Sequence, residues 1–339
     1  YELPWYMVIG HPEAGKSSAI YHSGLRFPFE ATHQKMRSAG LNGTRNCNWF
    51  FSTQGVLLDT AGRYSVYPED HPEWLGFLNI LKKNRAKAPV NGLIVMVSVA
   101  ELVNQSPEKS MQLAKSLRAR IQDLTERLEV FAPVYLVFSK MDLIAGFTEF
   151  FDCYHEQEFD QVWGATLAYE PASSENAVQL FEKHFSILYD GLKNVSTTHL
   201  TRRHSQQISP SVMTFPLEFK SLKPVFKTFI ATLFQENPYQ FKPVFRGFYF
   251  TSALQEGQIE SPMTKQIAKD FHLIRSDDEI ALSTPSTSQN QGYFLKSLFS
   301  EVILKDKHLV KQHINPARKR QRFMAFTGAL LTVSIVLSM

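Results

Sequence analysis

The chain has 339 residues, of which 44% are hydrophobic and 20% are charged, so it is long enough to fold around a substantial core and is not a disordered chain. The net charge of +4 is small, and the basic residues are scattered except near the C-terminus, so we predict no nucleic-acid surface. The two cysteines, Cys47 and Cys153, lie far apart, which excludes a disulfide scaffold and a zinc site of the usual spacing.

The first element is a short apolar strand, residues 6–9, which ends at Gly10 and opens into the pattern G-x-x-x-x-G-K-S. This pattern is typical of a phosphate-binding loop, because its two glycines permit a backbone whose N–H groups point inward. Lys16 would reach the β- and γ-phosphates, and Ser17 would hold Mg²⁺. The predicted nucleotide-binding residues of this loop are Gly10, Ala14, Gly15, Lys16, Ser17 and Ser18.

A polar loop is predicted over residues 22–42, where the sequence has no sustained period. Thr44 follows it, 28 residues beyond Lys16. Either Thr44 completes the magnesium shell when a γ-phosphate is present, or Gly43 and Thr44 simply form a turn before the next strand.

Two strands joined by a tight turn are predicted at residues 48–53 and 55–59, and the second ends in D-T-A-G. Asp59 would bind Mg²⁺ through water, and Gly62 would offer its backbone N–H to the γ-phosphate. Arg63 stands where Ras-like enzymes carry the glutamine that orients the attacking water, so we predict slow hydrolysis. The predicted catalytic residues are Lys16, Thr44 and Gly62, and the predicted metal ligands are Ser17, Thr44 and Asp59.

Helical periodicity then alternates with buried strands. One helix is predicted within residues 68–91 and a longer one over residues 106–128. The apolar runs at residues 92–99 and 133–138 are typical of central parallel strands that are covered on both faces.

The second of these runs leads directly into S-K-M-D, residues 139–142, which matches a guanine-reading motif. Asp142 would accept two hydrogen bonds from guanine, which adenine cannot donate, and the Lys140 stem would cover the ring. Ser139 replaces the commoner asparagine, which we expect to weaken the bonds that brace the loop and which leaves GTP and ATP both open as ligands.

Two segments compete to close the base pocket. Ala165 lies in a candidate last strand within residues 158–169, and Ala253 follows the apolar run at residues 247–250. Beyond residue 174 the pattern is mainly helical, at residues 176–194, 221–235, 263–272 and 291–304, and a polar loop is predicted at residues 283–292.

The C-terminus changes character, because the basic cluster of residues 318–322 precedes seventeen uncharged residues, 323–339. A membrane-spanning helix needs roughly 20 apolar residues. We predict the start of such a helix in preference to a buried one, with the preceding region in the cytoplasm because of the adjacent positive charge.

Five motifs, spread over nearly the whole chain, resemble those of the IcmF/TssM family. They are P-W-Y-M-V-I-G-x-P-x-A-G-K-S-S, G-T-R-N-C-N-W-F-F, V-L-L-D-T-A-G-R-Y, N-G-L-I-V-M-V-S-V-A and R-G-F-Y-F-T-S-A-L-Q-E-G. The resemblance implies an inner-membrane component of the bacterial type VI secretion system. It implies two transmembrane helices before this region, and a third followed by a large periplasmic part. It also implies a TssL-like membrane partner, a TssJ-like lipoprotein and baseplate components as partners, and a homo-oligomer in the assembled complex.

The sequence therefore predicts an α/β P-loop NTPase of the Ras-like GTPase type with a central, mostly parallel sheet at residues 1–170. A mainly helical lobe would follow at 171–317, and a basic segment with the start of a transmembrane helix at 318–339. We expect the region to bind Mg²⁺ with GTP or ATP, to hydrolyse it slowly and to dock partners. The alternative is a structural scaffold that keeps the P-loop fold without needing turnover.

Overall fold

A seven-stranded sheet forms the centre of the protein in the computed structural model, which describes residues 3–28, 44, 46–85, 88–151, 160–169, 176–202, 210–253 and 292–312. The strands are β1 (Trp5–Ile9), β2 (Cys47–Phe51), β3 (Val56–Thr60), β4 (Gly92–Ser98), β5 (Val130–Phe131), β6 (Pro133–Ser139), β7 (Gly164–Thr166), β8 (Val244–Phe250) and β9 (Lys311–Gln312). The strand order is β2-β3-β1-β4-β6-β8-β7, while β5 and β9 form a separate antiparallel pair. Strands β2 and β7 run antiparallel to their neighbours and the other five are parallel, so the carboxyl ends of the parallel strands share one edge.

Eight α-helices surround this sheet in the part of the chain that the structure describes. They are α1 (Lys16–Tyr21), α2 (His71–Asn84), α3 (Val99–Asn104), α4 (Pro107–Leu128), α5 (Phe147–Phe151), α6 (Ala177–Arg202), α7 (Pro210–Ser221) and α8 (Lys223–Leu233). The longest predicted helix before residue 150 has clear boundary signals. Ser106 Oγ accepts from the backbone N–H of Lys109, Pro107 occupies the first turn, and Glu129 ends α4 in the left-handed conformation.

The alternation of side chains along the strands separates two cores. Met7 and Ile9 of β1 face one core, which also holds the apolar faces of α2, α4, α6, α7 and α8. Tyr6 and Val8 face the opposite core, which is covered by α1 and by residues of the segment 292–312. Seven buried residues in succession, Gly92–Ser98, place β4 between these two layers.

Most of the predicted elements are confirmed. The hairpin at residues 48–59, the buried strands at 92–99 and 133–138, and the helices within 68–91 and 106–128 all occur where the sequence places them. The predicted helix at 291–304 appears as a π-helix, Leu298–Ile303, and α7 was not predicted.

The mostly parallel sheet is confirmed, but it also contains a strand that comes from far downstream in the chain. β8 lies between β6 and β7, although it comes from the segment 171–317. The helices of that segment pack in the same core as α2 and α4. The predicted boundary at residue 170 stays a prediction.

Some predictions concern residues outside the described part of the chain. These are the helix at 263–272, most of the loops at 22–42 and 283–292, and the membrane segment at 318–339. Among the described helices, none combines the length and the apolar character that crossing a membrane requires.

Candidate functional site

The phosphate loop leaves β1 at Gly10 and ends where α1 begins. Both of its glycines are required by the geometry: a Cβ on Gly10 would lie 2.3 Å from the carbonyl oxygen of Met96, and Gly15 has a φ of 78°. The loop therefore packs directly against the backbone of β4. The structure brings together the loop residues that the pattern G-x-x-x-x-G-K-S predicts.

Lys16 is buried beside this loop, with 7% of its surface exposed. Its Nζ donates to the carbonyl oxygens of Gly10, at 3.0 Å, and His11, at 2.9 Å. Burial lowers the pKa of Lys16, while the carboxylates of Asp59 and Glu101 oppose this shift. The ammonium group is thus held within the loop by two backbone carbonyl oxygens.

Asp59 is fully buried at the end of β3 and contacts the other two predicted metal ligands. Its Oδ2 accepts hydrogen bonds from Ser17 Oγ, at 2.6 Å, and from Thr44 Oγ1, at 3.0 Å. Burial raises the pKa of Asp59, while Lys16 and these two hydrogen bonds oppose the shift. Ser17, Thr44 and Asp59, which are distant in sequence, therefore meet at one point.

The second oxygen of this carboxylate, Asp59 Oδ1, is buried and has no hydrogen-bond partner within the described residues. A buried carboxylate oxygen without a donor is costly, and a hard cation with oxygen ligands would satisfy it. No group of three His, Cys, Asp or Glu side chains that could hold a metal occurs in the described ranges. The donor set of one carboxylate and two hydroxyls fits Mg²⁺ only when phosphate oxygens or water complete the shell.

Gly62 lies directly against the phosphate loop. A Cβ at this position would come within 2.2 Å of the backbone nitrogen of Pro12, so only glycine fits there. The backbone of the D-x-x-G motif is thereby brought next to the loop, as the sequence predicts.

Arg63 is directed toward the start of α2. Its Nη2 lies 2.6 Å from Glu73 Oε2 and 3.2 Å from Asn46 Oδ1, and its Nη1 pairs with Asp70. The Ala61 N–H also donates to the carbonyl oxygen of Asn46, at 2.7 Å. Arg63 thus ties the segment after Thr44 to the segment after Asp59, instead of occupying the role of a water-positioning glutamine.

The base-reading motif follows β6. Lys140 adopts the left-handed conformation, with a φ of 61°, and Asp142 lies in the short 3-10 helix that comes next. Ser252 Oγ donates to Asp142 Oδ1, and the Met141 N–H donates to the carbonyl oxygen of Thr251, at 3.2 Å. The structure therefore places residues 251–253 beside the S-K-M-D motif.

The two candidates for closing the base pocket occupy different places. Ala253 directly follows the Thr251 and Ser252 that contact the motif, and its side chain is buried. Ala165 lies within β7, paired with Phe248, and β7 neighbours β8 but not β6.

Three contacts of the site were not predicted from the sequence. Ser139 Oγ donates to the carbonyl oxygen of Ala14, so this serine does brace the phosphate loop. Ser252 belongs to the segment 251–253, which the sequence offers as one of two candidates for closing the base pocket, but its hydrogen bond to Asp142 was not predicted. His11 Nδ1 pairs with Glu101 Oε1 of α3 at 2.7 Å, and no pattern connects these two residues in the sequence.

The comparison with solved structures finds matches at low similarity. The signal recognition particle receptor SRb-GTP/SRX complex from Chaetomium thermophilum matches with 17% identity and a TM-score of 0.30, over 44% of this chain and 76% of the other. A bacterial selenocysteine-specific elongation factor, EF-Sec, matches with 16% identity and a TM-score of 0.24, over 42% and 20% of the two chains. TM-scores this low do not establish a shared fold.

The sequence comparisons are more specific. A family model, the IcmF-related N-terminal domain, matches residues 68–331. The type VI secretion system component TssM1 of Pseudomonas aeruginosa is 37% identical over 345 residues, which cover 99% of this chain and 30% of that protein. The chain thus spans less than a third of the length of this relative. Because the family model matches most of the chain, and the alignment with this relative covers 99% of the chain, the chain belongs to the IcmF/TssM family.

Proposed function

We propose that this region binds a nucleoside triphosphate with Mg²⁺ and hydrolyses it slowly. The observation that carries the proposal is the convergence on Asp59, where Ser17 and Thr44 donate to Oδ2 and the buried Oδ1 has no donor among the described residues. A buried acceptor surrounded by hydroxyl groups and close to a lysine suits a hydrated cation and phosphate oxygens.

Each residue of the proposed site would have the role that its counterpart has in other phosphate-binding loops. The backbone N–H groups of the loop and the Lys16 ammonium would hold the phosphates, and the Gly62 N–H would face the terminal one. Ser17, Thr44 and Asp59 would hold Mg²⁺, which supplies neutralisation of phosphate charge. Residue 63 is an arginine that pairs with Asp70 and Glu73, and not a glutamine that could position the water, so we expect slow turnover.

Base selection would belong to Asp142, with Ala253 in preference to Ala165 closing the pocket. The support for Ala253 is the contact of its neighbours Thr251 and Ser252 with the motif that contains Asp142. Guanine can donate two hydrogen bonds to this carboxylate and adenine cannot, so GTP is the ligand that this geometry favours.

The cellular role we propose is that of the cytoplasmic region of an inner-membrane subunit in the type VI secretion membrane complex. Family membership supports this role. Residues 318–339 would begin the membrane helix, and TssL-like, TssJ-like and baseplate components would be the partners in a homo-oligomeric assembly. A reporter fused ahead of Arg318 in the full-length protein should score as cytoplasmic, and a periplasmic score would contradict this topology.

Calorimetric titration tests nucleotide binding directly. The 339-residue chain would be titrated with GTP and with ATP in the presence of Mg²⁺, alongside Lys16→Ala and the control Lys115→Ala, which removes an exposed lysine of α4. We expect Lys16→Ala to weaken binding roughly a hundredfold, since the charge that contacts the phosphates is lost, and Lys115→Ala to bind as the wild type does. Equal affinities in all three proteins would contradict the site.

A structural scaffold is the second candidate, and the position of Arg63 favours it. The ion pairs of Arg63 with Asp70 and Glu73 hold the segment after Asp59 in one arrangement without a nucleotide. Single-turnover assays separate the two functions, because a scaffold would bind nucleotide without releasing phosphate, or would not bind it.

A further inference from the structure

Residues 292–312, which we call the strap, cross one face of the sheet from its carboxyl edge to its amino edge. At the carboxyl edge, which is the upper end of the strap, Tyr293 and Ser252 exchange two backbone hydrogen bonds, of 2.7 and 3.2 Å, just beyond the end of β8. At the lower end, β9 pairs with β5, which immediately precedes β6. The strap therefore spans the full height of the sheet.

The upper end of the strap contacts two parts of the proposed nucleotide site. Ser252, which pairs with Tyr293 through its backbone, donates its Oγ to Asp142. Gly292 lies against the residue after the phosphate-loop helix α1, because a Cβ on Gly292 would come within 2.8 Å of His22 Cβ. The start of the strap thus reaches the base-reading motif through Ser252, and it contacts the residue that follows α1 directly.

The middle of the strap is packed as a core element. Leu295, Leu298 and Ile303 are fully buried, and they share one core with Ile20 of α1 and with the strands. Close packing of this kind transmits a displacement instead of absorbing it, because few voids are available.

The lower end is held by polar contacts. Asp306 accepts from Arg246 Nε at 2.6 Å and Nη2 at 3.2 Å, and from Tyr135 OH at 2.8 Å. Asn91 Nδ2 donates to the carbonyl oxygen of Lys307 at 2.8 Å. A two-point arginine–carboxylate pair of this kind fixes position and direction as well as distance.

We propose that nucleotide binding stabilises the strap through Asp142, Ser252 and Tyr293, so that the site controls how firmly the strap is held as far as its end at residue 312. The inference rests on the proposed function. A carboxylate that also accepts from the base is held in one orientation, which fixes the Ser252 hydroxyl and its backbone pair with Tyr293. The coupling is reciprocal, so loosening the strap must weaken nucleotide binding by the same factor.

Hydrogen exchange of the 339-residue chain, followed by mass spectrometry, tests this coupling. Exchange in peptides from the strap would be compared without nucleotide and with saturating Mg²⁺ and GTP, with occupancy checked by calorimetry. We expect about tenfold slower exchange with nucleotide, within the usual range of coupling between sites. In Ser252→Ala at saturation this effect should fall to less than about threefold, whereas the control Ser300→Ala, on the strap itself, should behave as the wild type.

A second variant tests the coupling from its far end. Asp306→Asn weakens the contacts to Arg246 and, among the described residues, lies apart from the nucleotide site, so by reciprocity it should lower GTP affinity at least about threefold. Unchanged affinity in Asp306→Asn, or equal protection of the strap in Ser252→Ala and wild type, would overturn the coupling. If the wild type binds neither GTP nor ATP, the proposed function itself fails, and calorimetry alone reports that result.

Discussion

Ser139 Oγ donates a hydrogen bond of 2.7 Å to the carbonyl oxygen of Ala14. This bond joins the end of β6 to the loop before α1, so the S-K-M-D motif and the G-x-x-x-x-G-K-S loop support each other. The same hydroxyl lies 3.3 Å from the carbonyl oxygen of Val97 on β4, and Ser139 is 5% exposed. Ser139 therefore makes a buried contact that joins two neighbouring strands, β4 and β6, to the loop that contains Ala14.

Ser139→Ala should weaken GTP and ATP binding to the same extent, by several fold, because the phosphate loop serves both nucleotides. It should also lower the free energy of unfolding by about 1 kcal/mol, the usual value of one buried hydrogen bond. Urea unfolding and titration measure the two effects. Ser116→Ala, which removes a bond to Leu113 within α4, is the control for the loss of a hydroxyl. A selective loss of GTP binding would show that Ser139 acts on the base instead.

Asp142→Asn should lower GTP affinity roughly tenfold or more and ATP affinity by less than about threefold, because only guanine donates to this carboxylate. The amide remains able to accept the Ser252 hydroxyl, so the local fold should be kept. Titration with both nucleotides provides the measurement, and ATP is the internal control. Equal losses would mean that Asp142 does not read the base.

Asp59→Asn should abolish the dependence of nucleotide affinity on Mg²⁺, because the carboxylate charge that attracts the cation is lost. The nucleotide-free protein should be equally stable or up to about 2 kcal/mol more stable, since a buried and incompletely satisfied charge is removed. Titrations with and without Mg²⁺, together with urea unfolding, test both statements. Asp190→Asn, at an exposed position of α6, is the control. Retained magnesium dependence would exclude Asp59 as a ligand.

Cys47 provides a prediction about pH. Burial and the nearby Asp59 carboxylate raise the pKa of the Cys47 thiol from 9.0 to about 12. Since the thiolate is the reactive form, alkylation of native Cys47 at pH 8 should be about a thousandfold slower than in urea, and should rise tenfold per pH unit. Because the unfolded thiol ionises near pH 9 and the folded one does not, this group stabilises the fold at lower pH and loses that contribution as pH rises above 9.

The alkylation rate would be measured in a Cys153→Ser background, which leaves one thiol in the chain. A native rate within tenfold of the rate in urea would show that the Cys47 thiol is accessible and ordinary.

Local signals in the sequence were sufficient to predict much of the backbone arrangement at the candidate site. Gly10, Gly15 and Gly62 could be predicted because each needs a conformation or a close approach that only glycine permits, and the motif spacing records that need. The buried strands β4 and β6 could be predicted because strands covered on both faces are continuously apolar.

Contacts between distant segments could not be predicted in this way. Arg63 was recognised as a departure from glutamine, but its partners Asp70 and Glu73 depend on how α2 packs. The proposed preference for Ala253 over Ala165 depends on which strand lies beside β6, and strand order is a property of the whole sheet.

The sequence by itself determined the path of the glycine-rich loop, the order of the motifs and the family, because these are set by residue types at fixed short spacings. Only the tertiary structure decided that β8 enters the sheet beside β6, that Ser17 and Thr44 meet on Asp59, and that the strap covers the second face. Each of these results comes from pairing or burial between residues far apart in the chain. Local periodicity records which face of an element is apolar, but it does not record the partner against which that face is buried.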